Sequence, residues 1–328
     1  MSDFTLLPAK EYLQELILAV HNATSSIYIM NLILADDEAT HELILAIEKA
    51  ASRGIHTDIA VDIFTYGELG GFFSPFKKSV ARSRAVTAMT KRFIAAGVNF
   101  RWLGGNYKVN PFAGVTHIKW SIVDKTIYCF GGVNLYKLGI NSTDYMLKTR
   151  DTNLIHDITK QHLSIASADA SPESYKGFKK DYTYGSLLVD SGERGRSIIY
   201  ERACELAKEA HKIIYVSQYC PDGELLDYFK EPFVQIYFNR PELANFFNGL
   251  LIRITMLRTN IKTLYRKNNY IHAKFMLFEM ADGRKIALTG SHNFSYSGVR
   301  VGTREVALET ENIQIYTQLK EFWEQNIK

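Results

Sequence analysis

Two short runs of the sequence place a histidine and a lysine two residues apart: His117 and Lys119 in THIKWSIVDKTIYCFGGVN, and His272 and Lys274 in YIHAKFMLFEMADGRKIALTGSHNFS. In an extended segment side chains i and i+2 share a face, so each run presents an imidazole beside an ammonium. That pairing suits chemistry on an anion: the ring attacks or moves a proton, and the lysine steadies charged oxygens. Each run then reaches a glycine-bearing turn, GGVN or GSHN. Small residues there let a backbone approach closely, and Asn134 and Asn293 supply amide donors. Asp124 and Glu279 follow their histidines by seven positions, an odd offset that turns them to the opposite face, as structural partners. Farther on, Asp151 in TRDTNL aligns with Glu305 in TREVAL, 154 residues apart against 155 for the histidines. Each copy thus offers His, Lys, Asn and a late carboxylate in one order.

The elements that must position these groups also repeat. Apolar spacing predicts a helix over Lys10–Asn22, a buried strand in SSIYIMNLIL, a helix over Asp37–Ser52 and a strand in HTDIAVDIF. A helix ending near Gly97 and the strand VNFRWL follow. The second half predicts a helix over Ser197–Ala210, strand KIIYVSQY, helix DGELLDYF, strand FVQIYF, helix Pro241–Asn248 and strand LIRITML. This alternation implies an α/β fold of two similar α/β/α halves with mostly parallel sheets. SIASADASPES (Ser164–Ser174) has linker composition, which divides the chain into 1–165 with the first motif and 175–328 with the second.

Bulk properties set the frame. The 328 residues are 46% apolar and 23% charged, the balance of a globular protein with a sizeable core. The formal charge of +4 tolerates phosphate, nucleic acid or an acidic bilayer without demanding one. Three scattered cysteines, Cys129, Cys204 and Cys220, make neither a disulfide framework nor a zinc site and fit a reducing compartment. No signal peptide or membrane-spanning run is expected, which points to a cytoplasmic or peripheral membrane location.

The first copy fits H-x-K-x4-D-x6-G-G-x-N, and the second H-x-K-x4-E with a longer turn before G-S-x-N. The chain resembles the phospholipase D superfamily, and within it the cardiolipin synthase-like branch. The likeness covers residues 10–325, with Glu279 standing where that family usually has Asp. It implies a phospholipase D-like fold whose halves are related by a pseudo-twofold axis, each supplying half of one site. The implied chemistry is metal-independent displacement at a phosphodiester, without cofactor. One histidine forms a phosphohistidine and the other acts as acid; the resemblance favours His117 as nucleophile and His272 as acid, although the near-symmetry permits the reverse. Lys119, Lys274, Asn134 and Asn293 would hold the non-bridging oxygens, and Asp151 and Glu305 would each accept a hydrogen bond from a ring nitrogen. The implied partners are a phospholipid substrate and a membrane surface, with the chain a pseudo-dimer acting as a monomer. Two alternatives stand beside this: a nuclease of the same superfamily acting on nucleic acid, and a non-catalytic membrane-binding protein.

An insertion of roughly twenty residues, Thr65–Ala85, carries Phe72, Phe73 and Phe76, then Lys77, Lys78, Arg82 and Arg84. It reads equally as a membrane-contacting segment or as a loop packed over the site entrance. LRTNIKTLYRKNN (Leu257–Asn269) is basic and leads into the second motif, so it either lines the cleft or is solvated. His156 and His162 lie near Asp157 without further ligands and read as surface histidines, not a metal site. His292 is turned away from the site by alternation.

Overall fold

The computed structural model describes residues 3–65, 77–104, 115–170, 175–229 and 233–328, apart from the side chains of 77–83 and 170. In the first half, β1 (Thr5–Pro8), α1 (Ala9–His21), β2 (Ser26–Asn31), α2 (His41–Ser52), β3 (His56–Asp62), α3 (Lys77–Ala95) and β4 (Asn99–Leu103) precede the first motif. Then come β5 (Trp120–Val123), β6 (Thr126–Cys129), the short α4 (Lys137–Ile140), β7 (Tyr145–Thr149) and α5 (Thr152–Ala170). The second half runs β8 (Phe178–Tyr182), β9 (Gly185–Val189), α6 (Ile198–Glu209), β10 (Ala210–Val216), β11 (Val234–Tyr237) and α7 (Phe246–Thr259). It ends with β12 (Phe275–Met280), β13 (Lys285–Gly290), α8 (Tyr296–Val301), β14 (Val306–Thr310) and α9 (Ile313–Asn326).

Among the described residues these form two seven-stranded sheets, ordered β1-β7-β6-β5-β2-β3-β4 and β8-β9-β14-β13-β12-β10-β11. Read from β1 and from β9, six strands correspond in order, β5 with β12 and β2 with β10, as the repeat requires, with β4 and β8 lying outside the match. The sheets are mixed, not mostly parallel. Parallel pairing is confined to β2–β3, β3–β4 and β10–β11; the other pairs are antiparallel. The connections from β2 to β3 and from β3 to β4 carry a long helix and return the strand parallel, whereas the hairpin turns after β5, β8 and β12 return it antiparallel.

Other expectations fail locally. LIRITML is not a strand but part of α7, which starts where the Asn245 side chain accepts from the Asn248 N–H at 2.9 Å. Its alternating isoleucines look like a strand, but the inner contacts fall at helical spacing, with Gly249 and Ile252 buried. The expected helices at Pro241–Asn248 and DGELLDYF are 3-10 turns over Pro241–Leu243 and Gly223–Phe229. The linker-like SIASADASPES continues α5 to Ala170, because Ile165 and Ala166 face the core.

The two halves share that core. One buried cluster joins Trp120, Tyr145 and Leu147 of the first half to Phe275, Val306 and Phe322 of the second. The last helix also closes on the first strand. Leu6 N–H donates to Gln318 Oε1 at 2.7 Å, and Gln318 Nε2 donates to the Phe4 carbonyl at 2.9 Å. Among the described residues no helix is long and apolar enough to cross a membrane.

Candidate active site

Each His-x-Lys segment is an extended stretch just before a strand, β5 or β12. It is stitched to the segment that carries the other half's acid. His117 N–H donates to the Arg304 carbonyl at 2.8 Å, and the Thr143 carbonyl accepts from both His272 and Ala273 N–H at 3.0 Å. The bridges Thr116–Arg304 and Thr143–Ile271 repeat the arrangement in both directions. Asp62, at the end of β3, adds an anchor by accepting from Thr116 N–H at 2.7 Å.

The ring contacts cross between halves in the same way. His117 Nδ1 lies 2.9 Å from Glu305 Oε2 and 3.0 Å from the Ser291 carbonyl. His272 Nδ1 lies 2.7 Å from Asp144 Oδ2. These partners are acceptors only, so Nδ1 carries the proton in both rings and the lone pair of the neutral ring sits on Nε2. Glu305 is where the sequence placed it, but Asp151 is not the second acid. Asp151 caps α5, accepting from Leu154 N–H at 2.7 Å, and lines a surface hollow with Thr5 and Arg150. Asp144 takes the position against His272, its other oxygen accepting from Gly132 N–H at 3.2 Å. Ser291, also missed, donates to Glu305 Oε2 at 2.5 Å.

Lys119 and Lys274 are fully buried. Each donates to the carbonyl of its own histidine, Lys119 to His117 at 2.5 Å and Lys274 to His272, so the i, i+2 spacing places ammonium and imidazole together. Gly132 sits among these groups: a Cβ there would lie 2.7 Å from Asp144 Oδ2 and from the His272 carbonyl, and 2.9 Å from Lys274 Nζ. Only glycine fits. Asn134 is buried with its Oδ1 unpartnered among the described residues, while the Asn293 carbonyl accepts from Ser217 Oγ at 2.8 Å.

Burial dominates the electrostatics. It pushes Lys119 down to about 7, helped by Lys274 and opposed by Glu305, and Lys274 down to about 8. Burial, then Lys274, holds His272 down at about 3 against the pull of Asp144. His117 is lowered by burial and held up in part by Glu305. Burial raises the Glu305 carboxyl, but His117 outweighs it and the net position is about 2. The site therefore combines neutral rings, a firm carboxylate and lysines that titrate near neutrality.

The remaining candidates fall outside this cluster. Asp124 accepts from the N–H groups of Thr24, Ser25 and Ser26 at 2.8–2.9 Å, at a left-handed φ of 50° in the β5–β6 turn. Glu279 pairs with Lys212 at 2.9 Å. Phe72, Phe73 and Phe76 lie outside the described residues, and of Lys77 and Lys78 only the backbone, opening α3, is described. The Leu257–Asn269 stretch ends α7 and continues without regular structure, with Thr263 and Tyr265 buried and Lys262 and Arg266 exposed. His156 is exposed, but His162 is not a surface residue: it is fully buried between Asp58 Oδ1 at 2.9 Å and Trp120 Nε1 at 3.1 Å. It falls one helical turn from Ile158 on the inner face of α5. His292 packs between Tyr200 and Phe294. Among the described residues no three His, Cys, Asp or Glu side chains gather as a metal site.

A family model described as "Cardiolipin synthase, PLD-like domain" matches residues 16–165. No curated protein matches the sequence. Among solved structures, phosphatidylserine synthase of Haemophilus influenzae Rd KW20 is similar with a TM-score of 0.69 at 14% identity, over 98% of this chain and 85% of that one. Polyphosphate kinase of Porphyromonas gingivalis is similar with a TM-score of 0.61 at 14% identity, over 97% of this chain and 49% of the kinase. The chain thus spans about half the length of that kinase. At these identities the likeness is one of fold.

Proposed function

We propose that this chain, a member of the phospholipase D superfamily, breaks a phosphodiester by way of a phosphohistidine and passes the phosphatidyl group of a phospholipid to water or another alcohol. The observation that carries the proposal is the crossed pair of carboxylate-bound imidazoles, each with no partner on Nε2 among the described residues and a buried lysine alongside.

In the first step His272 takes up a proton on Nε2 as the phosphodiester's negative charge binds beside it; His117 Nε2 then attacks phosphorus while the bond to the leaving alcohol's oxygen breaks, and His272 gives that oxygen its proton. In the second step His272 takes a proton from water or an acceptor alcohol, whose oxygen attacks phosphorus and frees His117. Lys119 and Lys274 neutralise the non-bridging oxygens as negative charge builds, with Asn134 and Asn293 as further donors. Glu305 and Asp144 keep each ring aimed and stabilise its positive form. The reverse order has one observation in its favour: His272 is pushed down to about 3, which makes it a ready neutral nucleophile. Rapid-quench mass spectrometry of the acid-labile adduct separates the two: the phosphoryl group resides on His117 if that ring attacks, and on His272 in the reverse order.

The choice of phospholipid draws on the family model matching residues 16–165. A panel of phosphatidylglycerol, phosphatidylcholine, single-stranded DNA and a chromogenic phosphodiester, with and without EDTA, tests it. Lipid turnover insensitive to EDTA is expected. Turnover of DNA with both lipids untouched would transfer the site to the nuclease reading, and a strict metal requirement would sink the two-imidazole mechanism.

A further inference from the structure

Helix α7 is inside out. Its inner face is held by Ile252, clustered with Cys220 and Phe238, and by Gly249, whose hydrogen faces the Pro241 carbonyl so closely that a Cβ would stand 2.6 Å from it. Its outer face presents Phe246, Phe247, Leu250, Leu251, Ile254 and Leu257, all exposed, with Phe246 at 89% and Leu257 at 79%. At ~100° per residue these six fall on one continuous arc of the helix. A contiguous apolar face of this kind marks a surface meant to be covered.

Charge indicates what covers it. No acidic residue occurs between Glu242 and Glu279. Arg253 lies at the edge of the arc, Arg258 falls within its angular span in the helix's last turn, and the following segment adds exposed Lys262, Leu264 and Arg266. The nearby acid is the exposed Glu242, 3.7 Å from Arg253. Aromatic and aliphatic side chains on one face, with cations at its edge and in its last turn and no acid along the helix, suit a helix lying in the plane of an anionic bilayer. Its 14 residues extend about 21 Å, short of the ~30 Å hydrocarbon core, so it would lie along the surface instead of crossing.

The position suits that role. Between β11, which ends at Tyr237, and α7, which starts at Phe246, Asn239 donates to the carbonyls of Gln218 and of Ile271, the neighbour of His272, so the chain passes the active site seven residues before it enters the helix. It occupies the connection that corresponds, in the first half, to the Thr65–Ala85 insertion after β3. We propose that α7 is a membrane-docking helix that seats the protein on an anionic phospholipid surface beside the active site. This deepens the phospholipid reading of that site and rests on it for the substrate, though not for the surface contact.

Co-sedimentation of the full chain with vesicles of phosphatidylglycerol and phosphatidylcholine, compared with phosphatidylcholine alone, tests the proposal. Binding should need the anionic lipid and weaken with salt. Leu250→Asp with Leu257→Asp should lower vesicle partition by about tenfold for each apolar side chain lost, and Arg258→Glu should lower it on anionic vesicles. Hydrolysis of a soluble chromogenic phosphodiester should stay at the parent level, showing that the variants fold. A Leu257→Trp variant should shift its emission to the blue on vesicles. Equal sedimentation of parent and double variant, absence of any vesicle binding, or no Trp shift would each overturn the docking role. So would a parent dimer that the Asp substitutions dissociate, since the face would then belong to a second copy. Failure of the substrate reading looks different: vesicles bound through α7 with no lipid turned over.

Discussion

Asp144→Asn removes the charge facing His272 while keeping the shape of the side chain, and Asp151→Asn makes the same chemical change at the acid that the motif spacing favours. Asp144 accepts from His272 Nδ1 at 2.7 Å and from Gly132 N–H at 3.2 Å. As an amide it can satisfy Gly132 with its oxygen only by turning its NH2 toward Nδ1–H, donor against donor. The ring then moves its proton to Nε2 or rotates, and either change removes the lone pair needed to accept a proton. Where a buried carboxylate orients a catalytic imidazole in this way, the amide substitution lowers kcat by roughly 10^4-fold. A loss of about 10^3-fold or more is expected for Asp144→Asn, with KM for a chromogenic phosphodiester little changed. Asp144→Ala leaves the His272 and Gly132 donors without a buried acceptor and should also cost about 1–3 kcal/mol of stability for each, visible as a lower denaturant midpoint. Asp151→Asn retains a good helix cap at the Leu154 N–H and should leave kcat and the midpoint at parent values. Equal kcat losses in the two Asn variants, or no loss in Asp144→Asn, would refute the crossed assignment.

Gly132→Ala should behave as an active-site lesion, because its Cβ would meet Asp144, the His272 carbonyl and Lys274 Nζ at 2.7–2.9 Å; a displacement of about 1 Å there costs on the order of 100-fold in turnover, while Gly298→Ala, with open space around its Cβ, should be silent. The pH profile of kcat/KM should show an alkaline limb, because Lys119 sits at about 7 and Lys274 at about 8 and both must be charged to hold a phosphodiester; activity unchanged to pH 9.5 would exclude that role. The sign for stability is opposite. The unfolded lysines keep their protons up to their ordinary range while the folded ones lose them from about 7 and 8, so the burial penalty is fully present below pH 7 and relieved as pH rises above it; Lys119→Met should flatten that rise in urea titrations. Asp124→Ala should lower stability by roughly 2 kcal/mol, since three backbone donors lose their acceptor at a left-handed position, with kcat of the folded protein unchanged.

How far the sequence reaches is clearest at the two acids. His117, Lys119 and Gly132, like His272, Lys274 and Ser291, lie within a hairpin's length of one another, so local spacing suffices to group them. The carboxylates arrive later, after a connection that differs between halves, and the likeness of TRDTNL to TREVAL misleads. The structural equivalence is DYMLKT with EVALET. In both, the acid immediately precedes a buried strand, β7 or β14, that ends in Thr149 or Thr310. That pattern stands in the sequence, but the offset of 161 between Asp144 and Glu305 departs from the 155 of the histidines because the second hairpin turn and the helix after it are longer. Which acid meets which ring was not legible, because that depends on how the halves assemble. The outward face of α7 escaped for a related reason: a helix apolar on both sides has no period to read, and its isoleucines imitate a strand.

The two half-sites are not copies, and their differences compensate. In the first half Gly132 stands where the second has Ser291, and the acids are Asp144 and Glu305. A side chain at 132 would run into Asp144, which approaches so near that the Gly132 N–H reaches it directly. At 291 the side chain is accommodated, and its hydroxyl donates to Glu305 at 2.5 Å, doing the work that the amide does opposite. Each acid is thus matched to the small residue beside it, yet each matched pair serves the other half's histidine. A half folded alone would hold its carboxylate in place with no ring against it, and its ring with nothing to fix the tautomer. The two modules therefore cannot work independently even though each has every residue type the chemistry needs. A single substitution on either side, such as Gly132→Ser, disturbs a ring that lies more than a hundred residues away in sequence.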